Sequence, residues 1–151
     1  MGDNLWSSNR WTNYFLRLVN EVASMSTCTR RKVGCVIVKD KQLVSTGYNG
    51  VPARVNHCEV CPREGWPSGE KLELCRGAHA EQNAIAQAAK HGISVNGATA
   101  YVNLQPCSEC MKSLINAGIV EVVYTEGYPG TLTSELAWQS GVVLTKVERG
   151  E

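Results

Sequence analysis

Two short motifs combine the residue types of a metal centre with those of an acid–base group. His79 and Glu81 are two residues apart in the first motif, and Cys107 and Cys110 follow Pro106 in the second. One imidazole and two thiolates bind Zn²⁺ well and leave its fourth tetrahedral position open for water. A carboxylate beside that position can act as a general acid and base, because zinc lowers the pKa of its bound water toward about 7. Together the motifs predict a catalytic zinc site in which Glu81 is not a ligand.

The spacing within each motif requires the start of a helix. Cys107 and Cys110 are three residues apart, which places both sulfurs on one face of a first helical turn. Pro106 suits that turn because a proline there sacrifices no internal hydrogen bond, and a helix N-terminus lowers the pKa of nearby thiols. Residues two apart on an established helix point in very different directions. His79 and Glu81 can therefore share a site only if His79 lies at the helix start.

A second group of possible metal ligands lies outside these motifs. Cys58 and Cys61 form another Cys-x-x-Cys pair, His57 precedes them, and Cys28 and Cys75 lie to either side. A structural zinc needs four ligands, and adjacent residues rarely both bind, so His57 or Cys58 is spare. The predicted set is Cys28, His57, Cys61 and Cys75, with Cys58 as the alternate ligand. The alternative is a loop of reduced thiols.

Hydrophobic periodicity predicts the elements that position the motifs. Residues 50–77 lack periodicity and hold three of the five prolines, so they are expected to form a long irregular insertion within one domain spanning residues 1–151. Cys35 lies in an apolar run and is expected in the core. Alternating strands and helices predict an α/β sandwich built on a mostly parallel sheet. Helices are predicted at residues 11–25, 78–91, 106–117 and 132–140, and strands at residues 33–39, 42–47, 99–102, 120–124 and 142–147.

Composition narrows the classes of partner. Fifteen Lys and Arg against 14 Asp and Glu give a net charge of +1, which argues against a nucleic-acid partner. No apolar run approaches the ~20 residues that would span a membrane, and the polar N-terminus lacks the apolar stretch of a signal peptide. A cytoplasmic location is therefore expected. In that compartment the seven cysteines are expected to be metal ligands or core thiols rather than disulfides.

Longer stretches around the motifs resemble a known family. His79-Ala-Glu-Gln-Asn-Ala-Ile85 and Pro106-Cys-Ser-Glu-Cys110 resemble the cytidine deaminase superfamily. Ser26-Thr-Cys-Thr-Arg-Arg-Lys-Val-Gly34 and Gly47-Tyr-Asn-Gly50 resemble its deoxycytidylate deaminase branch. The resemblance covers roughly residues 11–128. It implies a three-layer α/β/α sandwich with a central mixed, mostly parallel five-stranded sheet.

The resemblance also implies a reaction and a set of roles. The branch converts dCMP and water to dUMP and ammonia, which supplies dUMP for thymidylate synthesis. Glu81 would accept a proton from the activated water, deliver it to N3 of the base and then help to protonate the departing amine. Asn49 would bind the sugar or base, Ala80 would also contact the substrate, and Tyr128 would pack on the nucleotide. The implied catalytic zinc ligands are His79, Cys107 and Cys110.

Regulation and assembly are implied by the branch alone. Many of its members are homohexamers that dCTP activates together with Mg²⁺ and that dTTP inhibits, and some carry a second zinc. A 5′-phosphate also requires a cation or a helix N-terminus beside it. The sequence does not rank the candidate cations, which are Arg30, Arg31, Lys32, Arg54, Arg63 and Arg76.

Three other functions share part of this pattern. A tRNA adenosine deaminase has the same motifs, but it must hold a folded RNA, which the net charge of +1 disfavours. A deaminase of free cytidine more usually has cysteine where this chain has His79. An inactive zinc-binding interaction module would not need Glu81. The sequence favours the nucleotide deaminase.

Overall fold

The computed structural model describes residues 8–148, and all nine predicted helices and strands are present, with shifted boundaries. No helix in this part of the chain is long and apolar enough to cross a membrane. The helices are α1 (Ser8–Ser24), α2 (Ala80–Lys90), α3 (Ser108–Asn116) and α4 (Thr131–Ser140), and the strands are β1 (Gly34–Lys39), β2 (Gln42–Tyr48), β3 (Thr99–Leu104), β4 (Glu121–Glu126) and β5 (Val143–Lys146).

The five strands form one mixed sheet in the order β2-β1-β3-β4-β5. Strand β1 is antiparallel to both of its neighbours, whereas β3, β4 and β5 pair in parallel. Four strands therefore point the same way and β1 points the opposite way, which confirms the predicted mixed, mostly parallel sheet. As a consequence, the N-terminal end of β1 lies between the C-terminal ends of β2 and β3.

Alternate residues of β1 face two different helical layers. Cys35 and Ile37 are fully buried in a core that α2, α3 and α4 share with one face of the sheet. Val36 and Val38 pack on the other face against α1, beside Phe15 and its neighbours. The period of two follows from strand geometry. It confirms both the three-layer sandwich and the core position of Cys35.

Two glycines allow helices to approach the sheet closely. A Cβ at Gly47 would lie 2.3 Å from the Ala84 nitrogen and 2.4 Å from the Ala80 oxygen, so α2 rests directly on β2. A Cβ at Gly34 would lie 2.6 Å from the Val19 oxygen of α1. No other residue type fits such contacts without moving a helix. The start of α2, which carries the first motif, is thereby fixed against the sheet.

Between β2 and α2, residues 50–77 form no α-helix or strand, and their regular structure is a short 3-10 helix at Leu72–Leu74. An isolated antiparallel bridge between Gly50 and Ala78 brings the two ends of this stretch together. The Arg30 guanidinium donates hydrogen bonds to the carbonyls of Arg63 (2.8 Å) and Trp66 (2.7 Å). These contacts attach the irregular stretch to the segment that leads into β1.

Candidate metal centre

The two motifs meet at one point. The ligand atoms of His79, Cys107 and Cys110 all lie within 4.8 Å of one another. His79 Nδ1 is 3.2 Å from Cys110 Sγ and 3.5 Å from Cys107 Sγ. In a tetrahedral zinc site with Zn–S of about 2.3 Å and Zn–N of about 2.0–2.1 Å, nitrogen and sulfur ligands are expected roughly 3.5 Å apart. The three residues therefore have the donor types and the spacing that Zn²⁺ requires.

Helix N-termini position all three ligands. His79 is the N-cap of α2, and its backbone N–H donates to Gln82 Oε1 at 2.8 Å. Cys107 is the N-cap of α3, and its sulfur accepts a weak hydrogen bond from the backbone N–H of Cys110 at 3.5 Å. Side chains of an N-cap and of the first helical turn converge on the unpaired N–H groups there. The prediction that His79 lies at a helix start is confirmed.

The prediction that Pro106 lies inside the helix is wrong. The prediction put it in the first turn of the helix, but α3 begins at Ser108 and Pro106 precedes the N-cap. Cys107 must adopt the extended conformation of an N-cap, with φ −72° and ψ 168°, so that its sulfur can turn back over the helix end. Pro106 is buried and lies outside the helix, and its carbonyl accepts a hydrogen bond from the hydroxyl of Thr133.

The ionisation of the two cysteines favours the binding of a cation. A hydrogen bond from Cys110 and a further one from His79 lower the pKa of Cys107 to about 4. The interaction with Cys107 and burial raise the pKa of Cys110. Without metal, the pair therefore holds one thiolate and one thiol. Zinc requires both sulfurs deprotonated, so binding should release a proton.

Glu81 lies beside the cluster in the first turn of α2 and is only 4% exposed. Burial raises its pKa from 4.5 to about 7, although the charge on His79 and a hydrogen bond with Cys110 act in the opposite direction. A carboxyl group with a pKa near neutrality can both accept and donate a proton under ordinary conditions. Its position and ionisation fit the acid–base role predicted for it.

The irregular stretch between β2 and α2 contributes a charge near the cluster. The Arg63 side chain is 9% exposed, and its Nε donates to the carbonyl of Glu70 at 2.9 Å. The hydrogen bond with Cys107 raises the pKa of His79, whereas the positive charge of Arg63 makes a smaller contribution that lowers it.

The three residues predicted to bind substrate have different surroundings. Asn49 uses its side-chain amide to bind the backbone of Arg31 and Val33, each at 2.8 Å. Ala80 is fully buried. Tyr128 is 76% exposed, and the Lys146 ammonium lies 3.6 Å from the centre of its ring. Their roles in binding substrate stay predictions.

The residues predicted to bind a second zinc are not gathered as a metal cluster. In residues 8–148 the ligand atoms of Cys28, His57, Cys61 and Cys75 form no group within the 4.8 Å that the first cluster satisfies. His57 Nδ1 instead lies 3.0 Å from the Thr27 hydroxyl. All the cysteines are free thiols. The second zinc site stays a prediction.

Two further features were not predicted. Asn103, near the end of β3, binds the backbone of Lys32 and Gly34 through its side chain. An asparagine at the end of a buried strand, directly before the second motif, is the sequence signal that could have identified it. A cavity of about 400 Å³ also lies apart from the cluster, lined in part by Arg30, Cys61 and Trp66.

Comparisons with known proteins agree with this geometry. Residues 9–126 match the family described as the cytidine and deoxycytidylate deaminase zinc-binding region. The chain is 39% identical to the deoxycytidylate deaminase of Saccharomyces cerevisiae over 120 residues, which are 78% of this chain and 38% of that protein. It is 41% identical to ComE operon protein 2 of Bacillus subtilis over 142 residues, 93% of this chain and 73% of that one.

A solved structure has the same fold. The dCMP deaminase of the cyanophage S-TIM5, in complex with dCMP and dUMP, aligns with a TM-score of 0.80 and 27% identity. The alignment covers 93% of this chain and 99% of that one. The matched family region contains both motifs of the candidate metal centre. The chain belongs to the cytidine and deoxycytidylate deaminase family.

Proposed function

We propose that the chain is a zinc-dependent enzyme that hydrolyses dCMP to dUMP and ammonia. The observation that carries the proposal is the cluster of His79, Cys107 and Cys110 with a buried carboxyl group, Glu81, beside it. Relatives named as deoxycytidylate deaminases support dCMP as the substrate. The chain spans 38% and 43% of the lengths of those two relatives, and 93% of the deoxycytidylate deaminase of Mycobacterium phage D29.

The roles within the site follow from its chemistry. His79, Cys107 and Cys110 would hold Zn²⁺, which would supply a water of lowered pKa as the nucleophile for C4 of cytosine. Glu81 takes a proton from the attacking water and passes it to N3 of the base. The same carboxyl group then helps to protonate the amine that leaves as ammonia. Burial raises the pKa of Glu81 in the metal-free protein, and a buried carboxyl group beside the activated water can accept and then donate the proton.

Nucleotide binding is assigned to residues around the cluster. Asn49 contacts the sugar or base with the amide hydrogen that its two backbone contacts leave over. Ala80 offers its backbone N–H, one of those that a helix start leaves without an internal partner. Tyr128 packs its exposed ring on the nucleotide, because the apolar ring can contact a ligand while its hydroxyl stays in water.

Two rival functions fit the sequence and the structure less well. A tRNA adenosine deaminase would need an extended basic surface, which the net charge of +1 does not favour. An inactive zinc-binding module would have no reason to hold Glu81 buried at the cost of a raised pKa. The deaminase of a nucleotide accounts for the motifs, the buried acid and the relatives together.

A substrate panel tests the proposal. The purified zinc-loaded protein is incubated with dCMP, cytidine and an RNA hairpin, and loss of the amino group is followed by absorbance and ammonia release. We expect dCMP to be converted to dUMP and the other two to react far more slowly. Preference for the RNA, or no reaction with any of the three, would contradict the proposed function.

We further propose the regulation and assembly that the branch implies. The enzyme would be a homohexamer in the cytoplasm that supplies dUMP for thymidylate synthesis, activated by dCTP with Mg²⁺ and inhibited by dTTP. Exposed apolar side chains on α4, Leu132 at 47% and Trp138 at 86%, support self-association. The cavity of about 400 Å³ beside Arg30 and Trp66 is large enough for a ligand apart from the metal centre. A second, structural zinc in the irregular stretch is part of the same proposal.

A further inference from the structure

Three parallel strands end at the edge of the sheet that carries the metal centre. Strands β3, β4 and β5 pair in parallel, so their C-terminal ends lie side by side. The cluster lies at this edge, because Cys107 follows β3 and is the N-cap of α3. Ligands of open α/β sheets bind outside the carboxyl ends of the strands. Residues at the ends of β4 and β5 are therefore placed to meet a nucleotide bound at the cluster.

The loop that follows β4, residues 127–130, is attached to the chain just before Cys107; we call it the Tyr128 loop. The backbone N–H of Gln105 donates to the carbonyl of Glu126 at 3.0 Å. The side-chain amide of Gln105 lies directly on Gly127, where an added Cβ would overlap its oxygen. Because Gln105 is two residues before Cys107, the Tyr128 loop lies beside the metal centre.

Lys146, the last residue of β5, points to the face of the sheet that α2 and α3 cover. Val142 and Leu144 pack in the core on that face, and Lys146 follows them at the period of two of a strand. Its partner in the parallel register is Tyr124, which is buried in the same core. Lys146 and the metal centre therefore lie on the same face of the sheet and at the same edge.

The Lys146 ammonium and the Tyr128 ring form a cation–π contact. Lys146 Nζ lies 3.6 Å from the centre of the ring, inside the ~6 Å within which an aromatic face attracts a cation. Tyr128 is 76% exposed, whereas Lys146 is half-buried. The contact therefore holds one face of an otherwise exposed ring and leaves the opposite face open to a ligand.

We propose that Lys146 is a positioning residue for the nucleotide, which holds one face of Tyr128 so that the opposite face packs on the substrate. The assignment rests on the proposed deamination of dCMP and on the role given there to Tyr128. Lys146 acts through the tyrosine and needs no contact with the substrate. Its contribution is preorganisation, because a ring that is already held loses less rotational freedom when the nucleotide binds.

Lys146→Met tests the cation, since methionine removes the charge and keeps an unbranched side chain. For this variant we expect the KM for dCMP to rise roughly 2–5-fold with little change in kcat, as loss of an exposed cation–π contact remote from the reacting atoms should give. Lys146→Arg keeps a cation over the ring and should restore the wild-type KM. A role of Lys146 in folding alone would not divide KM from kcat in this way.

Lys41→Met is the matched control. The Lys41 ammonium also lies over an aromatic ring, 5.3 Å from the centre of Trp11. Lys41 follows the C-terminal end of β1, and β1 is antiparallel to β3, so this contact lies at the edge of the sheet opposite the cluster. Lys41→Met should therefore leave the KM for dCMP unchanged.

A double-mutant cycle tests whether Lys146 acts through the ring. Tyr128→Leu should raise the KM for dCMP by more than Lys146→Met does, because it removes the packing surface itself. In the Tyr128→Leu background, Lys146→Met should add nothing, since both residues act through one contact. Thermal unfolding and zinc content of every variant identify a loss of fold.

NMR of the zinc-loaded protein gives a direct readout that needs no turnover. Protons above an aromatic ring are shielded by its ring current, so the ε-methylene protons of Lys146 should resonate upfield of those of the other lysines. This shift should disappear in Tyr128→Leu. When dUMP is added to the wild type, the Lys146 shift should persist while the Tyr128 ring resonances move, because the nucleotide packs on the opposite face.

The outcomes separate this inference from the proposed function. If wild-type protein deaminates dCMP and Lys146→Met or Tyr128→Leu has an unchanged KM, the function stands and the inference is overturned. An additive effect in the double mutant, a failure of Lys146→Arg to restore the KM, or equal effects of Lys146→Met and Lys41→Met would also overturn it. Wild-type protein that does not deaminate dCMP overturns the function, and the inference with it.

Discussion

The Glu81→Gln substitution should abolish turnover and, at the same time, stabilise the metal-free protein. Glutamine keeps the shape of the side chain but cannot transfer protons, so kcat should fall by at least ~10²–10⁴. Zinc content should be retained, because the cluster of ligand atoms consists of His79, Cys107 and Cys110. A parallel loss of zinc and activity would contradict the role of Glu81.

The gain in stability follows from the raised pKa of the buried acid. Burial raises the pKa of Glu81 from 4.5 to about 7 in the folded protein. Between those pH values the folded state keeps a proton that the unfolded state has released, so the free energy of unfolding declines as the pH rises. At pH 8 the ionised carboxylate costs the folded state about 3 kcal/mol. Glutamine carries no charge and removes this cost.

Urea unfolding of chelator-treated protein at pH 5 and pH 8 measures the effect. At pH 8 we expect Glu81→Gln to be more stable than the wild type by up to about 3 kcal/mol, and at pH 5 by less than about 1 kcal/mol. Glu135→Gln, at an exposed position on α4, is the control. Its difference in stability from the wild type should be the same at pH 5 and pH 8, because it retains Glu81. A Glu81→Gln protein no more stable than the wild type at pH 8 would refute the burial argument.

Three further outcomes are expected. Gly47→Ala should destabilise the protein by ~1–3 kcal/mol, because the added Cβ would overlap the backbone of α2. Gly130→Ala is the control and should not destabilise it, because no atom lies within 4 Å of the added Cβ. Equal urea midpoints for the two variants would contradict this packing. Elemental analysis should give about two zincs per chain and one fewer in Cys75→Ser, which should also be less stable; one zinc in the wild type, with Cys75→Ser unchanged, would rule out the second site. Rates against dCMP should be sigmoidal, hyperbolic with dCTP and steeper with dTTP; hyperbolic curves throughout, with competitive dTTP, would exclude allostery.

The fold and the metal centre could be predicted because their signals are local. The periodicity of each helix and strand depends on which face is buried, and the two motifs are short enough for their spacing to decide which atoms meet. His79 had to lie at a helix start for Glu81 to share its site, and it does. The two-residue error at Pro106 arose because the extended backbone of the Cys107 N-cap cannot be distinguished from a first helical turn by sequence pattern alone.

The partners of individual polar side chains could not be predicted, because they depend on distant parts of the chain. Asn103 binds the backbone of Lys32, 71 residues away in sequence, and this contact exists only because β1 runs between β2 and β3. The side-chain amide of Asn49 binds the backbone of Arg31 and Val33, contacts that no local pattern indicates, and its role with the substrate stays a prediction. The irregular stretch has no period from which its internal contacts could be inferred.

Titration of metal-free protein with Zn²⁺, with dUMP formation from dCMP as the readout, tests the central claim most directly. We expect no turnover without metal and recovery as zinc fills the cluster of His79, Cys107 and Cys110. Cys107→Ser should remain inactive at stoichiometric zinc, since a hydroxyl replaces a thiolate ligand. Equal conversion of dCMP with and without zinc, or no conversion at any zinc concentration, would contradict the claim.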